Sequence, residues 1–204
     1  MSNSDLPSAL VLKKRCGSQS QQCSLLQRAR LYEIAWTQSL TSTAQTARDH
    51  VDSELTKLLW ERLAAHVPTS FGGRSRVGPH PMMRIMRYEA QGSLSAHLDG
   101  TLEHCGQISF LTAFLYLNDN FSGGDTGFFQ SSDFCDETFR YDGKGIIDIT
   151  PREGTLNVFQ HNLWHMGLLV MGAQKYGIRI MIMYELGKDS IEDAQLTHIW
   201  VPDT

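Results

Sequence analysis

Residues 154–185 read GTLNVFQHNLWHMGLLVMGAQKYGIRIMIMYE. Three aliphatic and aromatic runs, 154–160, 165–170 and 175–185, are separated by polar residues and glycines, the texture of consecutive β-strands rather than of a helix. The run that starts at His165 ends at Gly172 and another opens at Lys175, so the segment is expected to form a hairpin with its turn near 171–174. Such a hairpin sets His165 and Lys175 on neighbouring strands. A lysine aimed into so apolar a stretch is costly to bury unless it meets an anion, and a bound carboxylate is its natural partner. The plain alternative is a lysine that faces solvent at the turn.

The same texture reaches back to residue 82, with further strands expected at 82–88, 93–99, 108–117, 125–129 and 146–149, and another at 197–201. Strands this short and this numerous fit a jelly roll. Upstream the pattern changes. Residues 24–40 carry Leu25, Leu26, Ala29, Ile34 and Ala35 at helical spacing. In 49–67, Val51, Leu55, Leu58, Leu59, Leu63 and Val67 form one apolar stripe, with Asp49, Asp52 or Ser53 available as the N-cap and Pro68 beyond the end. Helices first and strands afterwards imply a mainly β architecture with N-terminal helices packed outside. The Ser- and Gln-rich residues 1–23 are expected to be a disordered tail ahead of one domain over 24–204, and the acidic, turn-prone 130–145 a long loop.

At 204 residues, 41% hydrophobic and 20% charged, the chain has the composition of a globular protein with one sizeable core. Its net charge of -4 gives no electrostatic reason to expect nucleic acid, and the one compact basic run, Lys13 to Arg15, lies in the polar tail. No apolar stretch approaches a membrane span and the N-terminus lacks a signal-peptide core, so an intracellular, cytoplasmic place is expected. Cys16, Cys23, Cys105 and Cys135 are scattered without metal-ligand spacing and read as reduced thiols, with Cys105 and Cys135 in the interior.

Within SAHLDG, residues 95–100, His97 and Asp99 are two apart, so on a strand both project from one face. That geometry can grip a metal, although such pairs also occur on ordinary solvated surfaces. A two-histidine, one-carboxylate face needs a second imidazole from another strand. His50 and His66 fall on the expected helix, His80 precedes Pro81 in a loop, His104 sits in a Gly-flanked turn and His198 is near the C-terminus, which leaves His161 and His165.

Taken in order, Arg87-Tyr88, Gly92, His97, Asp99, YLND (116–119), SGGDTGFF (122–129), PREGTLNVF (151–159), then His165, Gly167, Val170, Gly172 and Lys175 resemble the prolyl-4-hydroxylase-like family of iron(II)- and 2-oxoglutarate-dependent dioxygenases, over about residues 46–186. The resemblance implies a double-stranded β-helix, a jelly roll whose open mouth holds the iron. It makes His97, Asp99 and His165 the catalytic iron ligands and Lys175 the ion-pair partner of the distal carboxylate of 2-oxoglutarate. Tyr116 is then a hydrogen-bond donor to that carboxylate, Tyr88 an aromatic wall of the cosubstrate pocket, and His161 a structural residue or one that supports the ligands.

The implied reaction consumes O2 and 2-oxoglutarate, releases succinate and CO2, and hydroxylates a C-H bond of a prolyl residue in protein or of a small metabolite, with ascorbate keeping the iron reduced. An intact carboxylate at Asp99 favours hydroxylation over halogenation. The alternative is a noncatalytic jelly roll that binds a ligand or partner around a vestigial metal site. Residues 1–40 depart from the family's usual start, Met166 stands where many relatives carry a carboxylate, and Arg179, on the same strand face as Lys175, is a competing cosubstrate anchor. The walls that select a substrate are expected from 130–145 and the segment before 82, which carry no readable code, and the oligomeric state is not written in the sequence.

Overall fold

The computed structural model of the chain describes residues 14–15, 37–38, 42–129 and 147–187. Its organising element is a sixteen-residue strand, β6 (Met82–His97), the sixth in chain order. The first half of β6 pairs with β15 (Lys175–Glu185) and the second half with β13 (Trp164–Gly167), both antiparallel, so that one strand belongs to two sheets. The change of partner falls between Tyr88 and Leu94, and Gln91 there takes a left-handed φ of 68°. Two strands expected at 82–88 and 93–99 are thus one bent strand that ends at His97.

On the β15 side the order is β1 (Lys14–Arg15), β12 (Thr155–Gln160), β8 (Gln107–Tyr116), β15, β6, with β5 (Arg74–Pro79) along the far half of β15. On the other side β6 is followed by β13, β10 (Thr126–Phe129) and β11 (Ile147–Ile149). All these pairings are antiparallel, and β3 (Ser42–Val51) runs along both halves of β6. The result is the expected jelly roll, a larger sheet facing a smaller one. Minor pairings add β2 (Thr37–Gln38) to β3, β4 (Ser70–Phe71) to β5, β7 (Glu103–His104) to β8, and β9 (Ser122–Gly123) to β14 (Val170–Met171).

Outside the larger sheet lies α1 (Ser53–Leu63), continued by a 3-10 turn at Ala64–His66. Asp52 caps it, its Oδ1 accepting from the Leu55 amide at 2.9 Å. Leu55, Leu59 and Leu63 pack on Met83, Ile85, Ile178, Ile180 and Ile182 in a largely aliphatic cluster. The Arg76 guanidinium donates to the Ala64 and Val67 carbonyls at the helix end and stacks 5.0 Å from the Trp60 ring. A second cluster, Met86, Tyr88, Phe114, Tyr116, Phe128, Ile149 and Phe159, fills the space between the sheets.

Several expectations require correction. A strand, β3, precedes the helix, and Val51 is its last residue, 65% exposed, instead of the head of the apolar stripe. Thr37–Gln38, inside the segment expected to be helical, add to the edge of β3, where pairing overrides a weak helical spacing. Lys14–Arg15, in the expected tail, pair with β12. The strands of His165 and Lys175 are not neighbours: β6 lies between them, and the intervening residues supply β14 to another sheet. Cys105 is exposed, at the tip of the β7–β8 hairpin. The remainder of 1–40, the 130–145 loop, the 197–201 strand, Cys16, Cys23, Cys135 and His198 lie outside the described residues. Among the described residues no helix is long and apolar enough to cross a membrane.

Candidate metal centre

The register of the smaller sheet explains why two distant histidines meet. His165 on β13 is the direct cross-strand partner of His97 on β6, and their ring centroids are 4.3 Å apart. Asp99 lies just past the end of β6, not on the strand, and its amide donates to the His161 carbonyl at 3.1 Å. One donor atom from each of His97, Asp99 and His165 falls within 4.8 Å of the others, and this is the one such cluster among the described residues.

Both imidazoles are oriented alike. His97 Nδ1 lies 2.8 Å from the Ser95 carbonyl and His165 Nδ1 2.9 Å from the Leu163 carbonyl. A carbonyl oxygen only accepts, so Nδ1 is the protonated nitrogen in each ring and Nε2 presents a lone pair. Burial pushes the His165 pKa down to about 4, so this ring is neutral at pH 7, as a metal ligand must be.

Burial alone would raise the Asp99 pKa. The Arg179 guanidinium, then His165, His161 and the Thr112 hydroxyl, outweigh that effect and hold the carboxyl below its usual range. Thr112 Oγ1 donates to Oδ2 at 2.6 Å and Arg179 Nη1 to Oδ1 at 2.9 Å. Two imidazoles that turn Nε2 to the cluster and one ionised carboxylate fit a divalent iron with coordination positions left open.

The pocket beside this cluster is walled by Met86, Leu94, Phe114 and Phe159, with Met166 also on its lining. Lys175 lines it too, 1% exposed and facing Tyr88 across the β15–β6 ladder. Its Nζ donates to the Gly124 carbonyl at 2.6 Å and otherwise meets aromatic faces, 4.9 Å from Tyr88, 5.2 Å from Tyr116 and 5.9 Å from Phe114. Burial pushes its pKa down to about 7, against the opposing pull of Asp125. An ammonium with three N-H donors and one hydrogen-bond partner fits an incoming carboxylate. Burial raises the Tyr116 and Tyr88 hydroxyls above the usual phenol range, so both stay protonated. The Tyr116 oxygen accepts from Asn157 Nδ2 at 2.9 Å and lies 2.6 Å from Thr126 Oγ1.

All six residues expected at the site thus stand around one pocket or, for Tyr116, against its lysine. Thr112, Thr126 and Asn157 were not foreseen. Thr112 had a weak signal, sharing strand parity with Tyr116, whereas Thr126 and Asn157 stood inside the motifs SGGDTGFF and PREGTLNVF without a role assigned to them. His161 is buried and donates no side chain to the cluster; burial pushes its pKa down to about 4, and its backbone anchors Asp99. Arg179 pairs with Asp99 at the metal end of the pocket rather than doubling Lys175.

Residues 83–183 match the family model of the 2OG-Fe(II) oxygenase superfamily. This stretch belongs to that superfamily. No curated protein matches the chain. Among solved structures with the same fold, a Pseudomonas putida prolyl-4-hydroxylase is 16% identical, with 87% of this chain and 94% of that one covered at a TM-score of 0.57. A Trichoplax adhaerens prolyl hydroxylase, in complex with a peptide fragment of the hypoxia inducible factor oxygen degradation domain, is 15% identical over 93% and 86% of the two chains, TM-score 0.63. HygX from Streptomyces hygroscopicus, with nickel, 2-oxoglutarate and hygromycin B bound, is 15% identical over 89% and 84%, TM-score 0.57.

Proposed function

We propose that the protein is an Fe(II)- and 2-oxoglutarate-dependent dioxygenase that hydroxylates a C-H bond, with His97, Asp99 and His165 holding the metal and Lys175, Tyr116 and Tyr88 forming the cosubstrate pocket. One observation carries this reading: a buried ammonium and a two-histidine, one-carboxylate cluster line the same pocket of a 2OG-Fe(II) oxygenase domain. When bound, iron and 2-oxoglutarate supply the oxidative chemistry, in which O2 is consumed, succinate and CO2 are released and one oxygen atom enters the substrate.

The chain's own part is to bind, orient and exclude water. His97 and His165 through Nε2, with the Asp99 carboxylate, would hold the metal and would leave coordination positions for cosubstrate and O2. The Lys175 ammonium would neutralise the distal carboxylate, and the Tyr116 hydroxyl, beside that ammonium, would add a donor. Tyr88 and Phe114 wall that carboxylate from solvent, which strengthens each of these contacts.

The substrate class is a prolyl residue in protein or a small metabolite; the peptide fragment and the hygromycin B bound by two similarly folded proteins support that range. Ascorbate serves as the reductant that keeps the iron ferrous. The test is anaerobic addition of Fe(II) and 2-oxoglutarate, followed by a screen of prolyl peptides and small metabolites for stimulated succinate release. A weak visible charge-transfer band that vanishes in His97→Ala and Asp99→Ala is the expected result. A chain that gives neither band nor succinate is a noncatalytic jelly roll.

A further inference from the structure

On the inner face of the larger sheet Arg179 stands across from Arg84 on β6 and Phe114 on β8. Both guanidiniums are engaged. Arg84 forks onto Asp49, with Nε to Oδ1 at 2.7 Å and Nη2 to Oδ2 at 2.9 Å. Arg179 takes Oδ1 of Asp99, the oxygen that lies 3.8 Å from His97 Nε2, while Thr112 takes Oδ2.

We propose that Arg179 is a positioning residue of the metal centre: with Thr112 it holds the Asp99 carboxylate by one oxygen each and fixes the rotation in which that carboxylate faces the two histidines. The inference rests on the metal-centre reading above. Asp99 lies past the last ladder pair of β6, so no strand pairing fixes its side chain. That side chain is 2% exposed, which leaves protein donors instead of water to set its rotation. A carboxylate oxygen has two acceptor sites, and the guanidinium occupies one of those on Oδ1, leaving the other for a metal beside the histidines. Oδ1 is also the oxygen turned toward His97 Nε2, at 3.8 Å, whereas Oδ2 is turned to the Thr112 hydroxyl. Lys175 and Arg179 share one strand face four residues apart yet divide the pocket between them, the first against Gly124 and the tyrosines, the second against the metal-binding carboxylate.

The experiment is an anaerobic Co(II) titration of the full chain, followed by visible absorption and by calorimetry, without 2-oxoglutarate or substrate. Arg179→Met is expected to weaken Co(II) binding by about 10- to 100-fold and to change the intensity of the cobalt bands, Arg179→Lys to recover part of both, and Thr112→Val to alter the bands in the same sense. Wild-type affinity and bands in Arg179→Met overturn the proposal. Tighter binding does so as well, because it makes the guanidinium a competitor of the metal. If Arg179→Met does not fold, unchanged affinity and bands in both Arg179→Lys and Thr112→Val overturn it. His165→Ala separates the two readings: Co(II) binding lost there but untouched in Arg179→Met removes only the role of Arg179, whereas wild-type binding in His165→Ala removes the metal centre itself.

Discussion

The two faces of β15 differ by a one-residue step and do opposite work. Tyr176, Ile178, Ile180 and Ile182 point under α1 into the aliphatic cluster. Lys175 and Arg179 point between the sheets to the pocket, with Gly177 between them so close to Phe114 that a Cβ there would lie 2.2 Å from the ring. The outer face removes apolar surface from water, the dominant favourable term in folding. The inner face buries the Lys175 ammonium and sets Arg179 against the buried Asp99 carboxylate, groups whose desolvation opposes folding. A strand can carry both because side chains alternate, so stability and chemistry are assigned to different parities and can be perturbed separately.

The largest separation is expected from Ile180→Ala. Ile180 is 1% exposed under the helix, and truncating such a side chain removes about 2–5 kcal/mol of stability. The unfolding free energy from denaturant titration falls by that amount, while Fe(II) and 2-oxoglutarate affinities, measured well below the midpoint, stay at wild-type values. A parallel loss of affinity would show the two faces to be coupled. Lys175→Met makes the opposite cut. Removing a fully buried ammonium keeps the melting temperature or raises it, and 2-oxoglutarate binding weakens on the order of 100-fold, as for loss of one partner in a buried ion pair. Calorimetric titration and a thermal melt of the same sample read both effects.

A smaller effect comes from pH. Folding lowers the Lys175 pKa to about 7 from the ordinary lysine value of 10.5. This group's contribution to stability is therefore present above 10.5 and lost as pH falls through about 7. Binding of a dicarboxylate has the opposite sign, because it needs the charged form. The affinity for 2-oxoglutarate is expected to be greatest below pH 7 and to fall by about tenfold per unit above it, with uptake of a proton on binding. Titrations in buffers of different ionisation enthalpy measure that proton, and Lys175→Met abolishes it.

The parity that separates the faces was readable in the sequence, as were most strands from 82 to 185, although 82–88 and 93–99 are one strand and β7, β9 and β14 were not foreseen. Partner choice was not. His165 and Lys175 look like two arms of a hairpin because the apolar runs are adjacent, yet β13 and β15 each pair with β6, a contact fixed by a strand that begins more than eighty residues earlier. β3 and β5 were invisible for a different reason. STAQTARDHV lacks apolar alternation, and RSRVGP holds both a glycine and a proline, so neither carries the usual strand signal. At the site the ligating types stood out through the family resemblance, whereas Thr112 and Thr126 matter only through atoms that distant strands bring to them.

The mildest test acts on the helix that covers the outer face. Asp52 is the N-cap of α1, and Asp52→Ala leaves the Leu55 amide without its 2.9 Å acceptor at the first turn. The cost is about 1 kcal/mol, which lowers the melting temperature of a chain this size by roughly 2–4 °C. Because α1 packs on Ile178, Ile180 and Ile182 and lines none of the pocket, the charge-transfer band and the 2-oxoglutarate affinity are expected to be unchanged. Asp52→Asn, which keeps a side-chain acceptor, recovers most of the melting temperature. A shifted band in Asp52→Ala would mean that loosening the outer face reaches the metal cluster through the sheet, and the separation by parity would then hold for packing but not for function.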